Sequence, residues 1–187
     1  MTKKCLGLIV IGIICLLGLA EVIYAAQTAD ITVTVTCRKL SVSVSPSSYA
    51  FGNVNEGSGT VATSAITVTN DGNATETFQL KLTDPTGWTA DASGTPTTDH
   101  YKLGGVIRAT TDAAPVAGDF TNSEDYISTS YVSASSTVFA KTGDTSNGAS
   151  VAAAAARKLW FYFYAPSYST VGTQQSITVT IKAIAAA

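Results

Sequence analysis

Apolar side chains recur at every second position through much of this chain. Four segments show the alternation clearly, and each sets apolar residues against Ser, Thr, Gln or Lys: 31–37, 40–45, 77–82 and 177–182. Strict alternation of this kind is typical of strands with one buried and one solvent-facing side. Clusters of Gly, Pro, Asn and Asp lie between the segments, as turns between strands require. The pattern predicts an all-β chain.

The spacing of these segments narrows the fold class. Short strands joined by turns favour an immunoglobulin-like antiparallel β-sandwich. The alanine run 152–156 is the only helix candidate, and its neighbours favour a turn instead. The stretch 84–150 is less regular, although 100–109 and 131–141 resemble strands. We expect 84–150 to be an irregular elaboration of a single domain at 27–187, because it lacks enough apolar pattern for a core of its own.

The first 26 residues have the layout of a cleavable signal peptide. Lys3 and Lys4 precede an uncharged, mostly apolar run at 5–20, and the stretch ends in the small residues Ala25 and Ala26, which is the order of a secretory leader. The run is shorter than the roughly 18–20 apolar residues that span a bilayer core. We therefore expect a protein that meets the membrane only during export and is then secreted or held at the cell surface, with the periplasm as an alternative.

Charge and cysteine content restrict the partners. Residues 27–187 carry nine Lys and Arg against twelve Asp and Glu, which disfavours nucleic acid as a partner, since proteins that bind it show clustered basic charge. Cys37 is the only cysteine after the leader, so an internal disulfide is excluded. The cysteine is either a small buried hydrophobe or, as an odd exported cysteine, a link to another chain.

The sequence contains no set of residues that indicates catalysis, a cofactor or a metal. His100 is the only histidine, and no spacing around it indicates a serine–histidine–acid arrangement. The acidic stretch 119–125 lacks the loop pattern of a calcium hand. We therefore predict no catalytic, cofactor-binding or metal-binding residue, and we expect a protein that is not an enzyme.

The alternation changes phase near the amino end. Apolar residues occupy odd positions through Cys37 and even positions from Leu40 onward, and a shift by one residue turns every side chain to the other side of a strand. A β-bulge or a crossing between sheets is the ordinary explanation. The alternative is a separate strand that pairs with a neighbouring subunit, since an added strand satisfies an open sheet edge. Its inward-facing residues would be Ile31, Val33, Val35 and Cys37.

A second unusual segment, 158–164, is rich in aromatic residues. Alternation divides its side chains between two faces, and one face carries a row of Trp160, Tyr162 and Tyr164. If this row is exposed, it is a candidate ligand or partner face on which sugar rings or another protein would stack. If the stretch 84–150 covers the row, the rings form a second small core. Exposed aromatic rows are unusual, so the covered arrangement is favoured.

Parts of the chain resemble bacterial immunoglobulin-like modules. The motifs are Phe51-Gly52-Asn53-Val54, then Gly57-Ser58, then a strand that ends in Asn70-Asp71-Gly72-Asn73. They are similar to the opening of such modules, the abnormal-spindle type among them, and 157–166 and 176–183 are similar to their last two strands. Gly87-Trp88-Thr89 is also similar to the WxL domains of Gram-positive cell surfaces, with Ala90 in place of the expected leucine. The resemblance implies a sandwich fold in a surface or exported protein, and it fixes no activity.

Two functional hypotheses from different classes follow from these observations. The first is a non-enzymatic structural or adhesive component of the bacterial cell surface or extracellular matrix, which assembles with itself or with other surface proteins by β-strand addition. The second is a carbohydrate-binding module that holds a polysaccharide on the aromatic face of Trp160, Tyr162 and Tyr164.

Overall fold

The computed structural model describes residues 28–92, 94–120 and 123–187. The leader predicted at 1–26 lies outside these ranges. The chain divides into two units, 1–36 and 37–187. In the first unit, the described residues 28–36 form no helix or strand, and every described strand belongs to the second unit. No helix in the described ranges is long and apolar enough to cross a membrane.

Two packed sheets make up the second unit. The strands run along the chain in the order β1 (Val42–Ser45), β2 (Gly59–Val61), β3 (Ile66–Asn70), β4 (Glu76–Thr83), β5 (Thr89–Ala90), β6 (His100–Arg108), β7 (Val132–Ser133), β8 (Ala156–Tyr164) and β9 (Thr178–Ala185). Two short 3-10 helices, Ala117–Phe120 and Ser123–Asp125, lie between β6 and β7. The alanine run forms the predicted turn at Ala153 and Ala154, before β8 begins.

The order of strands defines a sandwich. The larger sheet has the order β1-β3-β8-β6-β5, with β2 also paired to β8, and the smaller sheet has the order β7-β4-β9. The named strands pair antiparallel, except for a parallel contact of two residues between β5 and β6. The all-β sandwich predicted from the alternation is therefore confirmed.

The alternation decides which side chains enter the core. In β4, Phe78, Leu80 and Leu82 are buried, while Thr77, Gln79 and Lys81 between them are only half-buried, as a strand with one wet side requires. The larger sheet contributes the facing side chains of the main cluster: Ile66, Val68, Tyr101, Leu103, Ile107, Leu159, Phe161 and Phe163. Each fully buried side chain of this size stabilises the fold by roughly 1.5–3 kcal/mol.

The stretch 84–150 is largely irregular, as its composition predicts, but it contributes one long strand to the main sheet. β6 pairs with β8 from Lys102 to Arg108 and lies inside the larger sheet. β6 lies within the strand-like segment 100–109, whereas only Val132–Ser133 of the strand-like segment 131–141 forms a strand. Two glycines in succession within β6 mark a close approach. A Cβ on the first of them, Gly104, would lie 3.1 Å from the Phe120 ring.

The alternating segment 31–37 forms no strand in the structure. Ile31, Val33 and Val35 are 86, 85 and 86% exposed. Cys37 is exposed too, which corrects the expectation of a small buried hydrophobe. The alternation makes one side of the segment apolar, but a strand also needs a neighbouring strand, and none in the described chain pairs with this segment.

The change of phase falls in a connection without regular structure. β1 begins only at Val42, and residues 38–41 have no strand assignment. In this described part of the chain, the shift is therefore neither a β-bulge within one strand nor a strand that crosses between the sheets. Side-chain hydrogen bonds hold the connection in place instead.

Candidate assembly and ligand-binding surfaces

The start of the second unit is fastened to the turn between β3 and β4. The Asn73 side chain accepts a hydrogen bond from the Lys39 N–H at 2.7 Å and donates one to the Cys37 carbonyl at 2.9 Å. The Asn73 N–H donates to the Lys39 carbonyl at 3.1 Å. These three bonds fix the backbone at 37–39, although the side chains there are exposed.

A buried carboxylate fixes the residues that follow. Glu76 is fully buried at the start of β4, and its Oε1 accepts a hydrogen bond from the Ser41 N–H at 2.7 Å. Within the described ranges, its Oε2 has no hydrogen-bond partner. A Cβ on Gly72 would collide with Glu76 Oε1 and with the Lys39 carbonyl oxygen, so only glycine fits at that turn position. The chain therefore enters β1 through a closely fitted connection.

The candidate inter-subunit strand presents a row of uncovered β-branched side chains. Among the large hydrophobic residues of the described chain, the three most exposed are Ile31, Val33 and Val35. Thr32 and Thr34 alternate with them. Contiguous exposed apolar surface of this kind marks an interaction site or an aggregation hazard. The segment therefore has the alternating side chains of a half-buried strand, but it pairs with no strand of the described chain.

The candidate aromatic face is buried at Trp160 and partly open at Tyr162 and Tyr164. Trp160 is only 7% exposed and packs with Val106 and Phe120 in a small cluster apart from the main core. Phe120 belongs to the 3-10 helix within the stretch 84–150, so this stretch covers the Trp160 end of the row, whereas the favoured prediction has the whole row covered. The Tyr162 ring stacks on Phe120 with ring centroids 5.5 Å apart. Trp160 therefore offers no free ring surface to a ligand.

The remaining part of the row lines an open cleft of about 340 Å³. Tyr162 and Tyr164 form one wall, and Lys102, Tyr126 and Phe120 are among the other lining residues. The Lys102 ammonium group lies 4.6 Å from the centre of the Tyr126 ring, which is cation–π distance. The cleft therefore combines aromatic surface with a positive charge.

Two tyrosine hydroxyls of the cleft, those of Tyr162 and Tyr126, have a pKa raised above the ordinary value. Burial raises the pKa of Tyr162, and the neighbouring Tyr164 phenol adds to the rise. Burial also raises the pKa of Tyr126, with smaller contributions from Tyr162, Asp125 and Tyr164. A protonated phenol both donates and accepts hydrogen bonds, so the cleft suits a ligand rich in hydroxyl groups.

Sequence reasoning predicted only Tyr162 and Tyr164 of this cleft and missed the other lining residues, Lys102 and Tyr126 among them. The register of β6 on β8 places Lys102 opposite Tyr164, and an isolated bridge joins Tyr126 to Gly104. Neither proximity has a signal in the sequence, because both depend on pairing between distant segments. The aromatic composition of 158–164 is the one clue that the sequence offers.

The acidic residue beside the single histidine has a structural task. Asp99 accepts hydrogen bonds from the Thr170 N–H and from the Thr170 hydroxyl. The side-chain bond, followed by the backbone bond, lowers the pKa of Asp99. These bonds join two loops, and His100 directly follows as the first residue of β6. Within the described ranges, no group of three His, Cys, Asp or Glu residues is placed to hold a metal ion.

The described chain is thus an all-β sandwich with an uncovered alternating segment and an open tyrosine cleft. Comparison of the sequence and structure with protein-family models, with curated proteins and with solved structures finds no match in any of the three. The resemblance to immunoglobulin-like surface modules therefore stays a prediction, and function has to be argued from the two surfaces.

Proposed function

We propose that the exported chain is a non-enzymatic structural or adhesive component of the bacterial cell surface or extracellular matrix, and that its copies assemble by β-strand addition. The observation that carries the proposal is the exposure of Ile31, Val33 and Val35 in a segment outside every described strand. A strand that donates itself to another sheet needs apolar residues on one side and polar residues on the other. Residues 31–37 have this pattern.

The energetics favour reversible assembly. Burying a Val or Ile side chain contributes roughly 1.5–3 kcal/mol, so the three exposed residues offer a gross gain of roughly 5–9 kcal/mol. Association costs about 4–15 kcal/mol in lost translational and rotational freedom. Backbone hydrogen bonds to a sheet edge add about 1 kcal/mol each. We therefore expect oligomers whose size depends on protein concentration.

The proposed location and partners follow from the same features. Export is inferred from the basic, apolar and small-residue order of residues 1–26. The resemblance to surface modules favours a bacterial envelope or matrix over other exported settings. The partners would be further copies of this chain or other surface proteins with an open strand edge.

Deletion of Ala29–Cys37 is expected to abolish concentration-dependent oligomers and to leave the sandwich folded, since these residues belong to no described strand. Sedimentation velocity over a concentration series measures assembly, and far-ultraviolet circular dichroism measures the fold. A matched control keeps the length and replaces Ile31, Val33 and Val35 with threonine, which retains strand propensity. The control should also stay monomeric. Full assembly of the deletion variant would contradict the proposal.

A second candidate function is carbohydrate binding, and the open tyrosine cleft is the observation that favours it. Tyr126, Tyr162 and Tyr164 line it together with Lys102. Aromatic rings provide flat apolar surface, and protonated phenols bond to sugar hydroxyls. In this alternative, Trp160 would support the cleft from beneath through Tyr162, with which it shares the small cluster.

Replacement of Tyr164 with alanine is expected to weaken retention on a polysaccharide affinity column by about tenfold or more, because truncation of an aromatic residue that dominates a binding face costs about 2 kcal/mol or more. Tyr168→Ala is the matched control, since Tyr168 is 57% exposed and does not line the cleft. The melting temperature of both variants should stay near that of the parent. Equal retention of the two variants would exclude this cleft as a sugar site.

A further inference from the structure

We infer that the acceptor for the alternating segment is the open edge of β9 in a second copy of this chain, an inference that rests on the proposed self-assembly. β9 pairs with β4 along all eight of its residues and ends the smaller sheet. In the described chain, no strand lies on its other side. It is also the longest edge strand of either sheet, since β1 has four residues and β5 and β7 have two each.

The hydrogen bonds of β4 indicate which backbone groups of β9 face the open side. The N–H groups of Glu76 and Phe78 donate to loop carbonyls on the β7 side of the sheet. Because neighbouring residues of a strand direct their backbone groups to opposite sides, the odd-numbered residues of β4 bond to β9. Their register partners are the even-numbered residues of β9. The backbone groups left facing the open side include those of Val179, Ile181 and Ala183.

The side chains of these three residues point toward the core, but β9 is the last strand of its sheet, so no neighbouring strand of the described chain covers them on the open side. Val179, Ile181 and Ala183 are only partly buried, although they pack against the main cluster. The residues that alternate with them on the outer face include Thr180 and Lys182. β9 therefore combines unpaired backbone groups with an incompletely covered apolar side, which is the condition that attracts a further strand.

The edge of β9 and the edge of β1 together border a groove, which we call the acceptor groove. β1 ends the larger sheet and approaches β9 across the sandwich. Val42 packs against the main cluster, while Leu40 and Val44 are 38 and 40% exposed. A strand added to β9 would place its inward side chains between β9 and these residues. The partly uncovered apolar side chains of both edges would then be buried together.

The segment fits this groove in length and in pattern. Ile31–Cys37 offers seven residues to the eight of β9. Its apolar residues would face the groove, and its threonines would lie on the outer face beside Thr180 and Lys182. The segment contains no proline and no charged residue, so it carries none of the features that prevent strands from pairing.

Cross-linking between two differently labelled populations tests the acceptor directly. Secreted full chains that carry Cys37→Ser receive one new cysteine each: Thr34→Cys in the first population, and Thr180→Cys or Lys182→Cys in the second. Neighbouring outer-face residues on paired strands come within disulfide distance. We expect mixing and mild oxidation to give a disulfide-linked dimer of one chain from each population. Ser43→Cys on β1, at the edge of the other sheet, is the matched control and should give little of this product.

The outcomes separate the inference from the proposed function. Oligomers that form a link to position 43, and none to positions 180 or 182, would overturn β9 as the acceptor and leave self-assembly intact. Absence of both links and of oligomers would overturn the proposed function and the inference together. A link within one chain that forms at every dilution, tested in a chain that carries both cysteines, would also overturn the inference.

A proline at Ala183 provides an independent test. Its outward N–H bonds to no strand within the described ranges, so proline there should keep the pairing with β4 and block the addition of another strand. We expect the concentration at half-assembly to rise about tenfold or more, with circular dichroism unchanged. Unchanged assembly of a folded Ala183→Pro variant would overturn the inference. If this variant does not fold, the cross-linking experiment alone tests whether β9 is the acceptor.

Discussion

Replacement of Trp160 with alanine is expected to lower the free energy of unfolding by about 3–5 kcal/mol, the range found when a buried large aromatic residue is truncated. The side chain is 7% exposed and packs with Val106 and Phe120, which are almost fully buried. Its removal leaves a cavity between β8 and the 3-10 helix that covers it. Chemical denaturation measures the loss.

Trp160→Phe is the control for this change. The indole Nε1 is buried and has no hydrogen-bond partner within the described ranges, so phenylalanine removes volume and no hydrogen bond. We expect this variant to lose about 1–2 kcal/mol, less than the alanine variant, since a smaller cavity remains. An alanine variant as stable as the parent chain would show that Trp160 is not covered by Phe120.

Replacement of Arg108 with methionine is expected to cost about 3–5 kcal/mol, the usual penalty when one member of a buried ion pair is removed. The Arg108 side chain is 9% exposed, and its Nε lies 2.7 Å from Asp144 Oδ2. A second guanidinium nitrogen donates to Asp144 Oδ1 at 3.2 Å, and a third donates to the Ala113 carbonyl at 2.6 Å. The variant leaves the Asp144 charge, 13% exposed, without its partner. The free energy of unfolding, from urea titration, measures the cost.

Asp112→Asn is the matched control at the same cluster. Asp112 lies 3.7 Å from Arg108 Nε and is 32% exposed, so its charge is partly screened by solvent. Removal of that charge should cost about 0–1 kcal/mol, as for exposed ion pairs. Similar losses for the two variants would contradict the assignment of Asp144 as the main partner of Arg108.

The alternation of the sequence predicts which side chains share a face of a strand, but it does not predict whether the strand finds a partner. The segments at 77–82 and 31–37 have the same pattern, yet the first forms the centre of the smaller sheet and the second is exposed. The difference lies in the partner strands. β4 has neighbours in its own chain, and pairing over long sequence distances leaves no trace in a local pattern.

Two features of the stretch 84–150 show a similar limit. The strand-like segment 100–109 forms as β6, and the missing side chains of Gly104 and Gly105 make room for Phe120 and Ile127. The sequence therefore predicts the strand, but not the residues that cover it. Of the cleft, the sequence predicted only Tyr162 and Tyr164. Lys102 joins them because β6 pairs with β8 in a register that places it opposite Tyr164, and a local sequence pattern does not specify that register.

Site-resolved hydrogen exchange of the secreted chain, measured across a concentration series, tests the central claim most directly. Strand addition predicts that the amides of Ile31, Val33 and Val35 exchange freely in the monomer and become protected as oligomers form, together with the outward amides of Val179, Ile181 and Ala183. The amides of β4, already paired, should change little. Oligomers in which Ile31, Val33 and Val35 still exchange as fast as in the monomer would contradict assembly by strand addition.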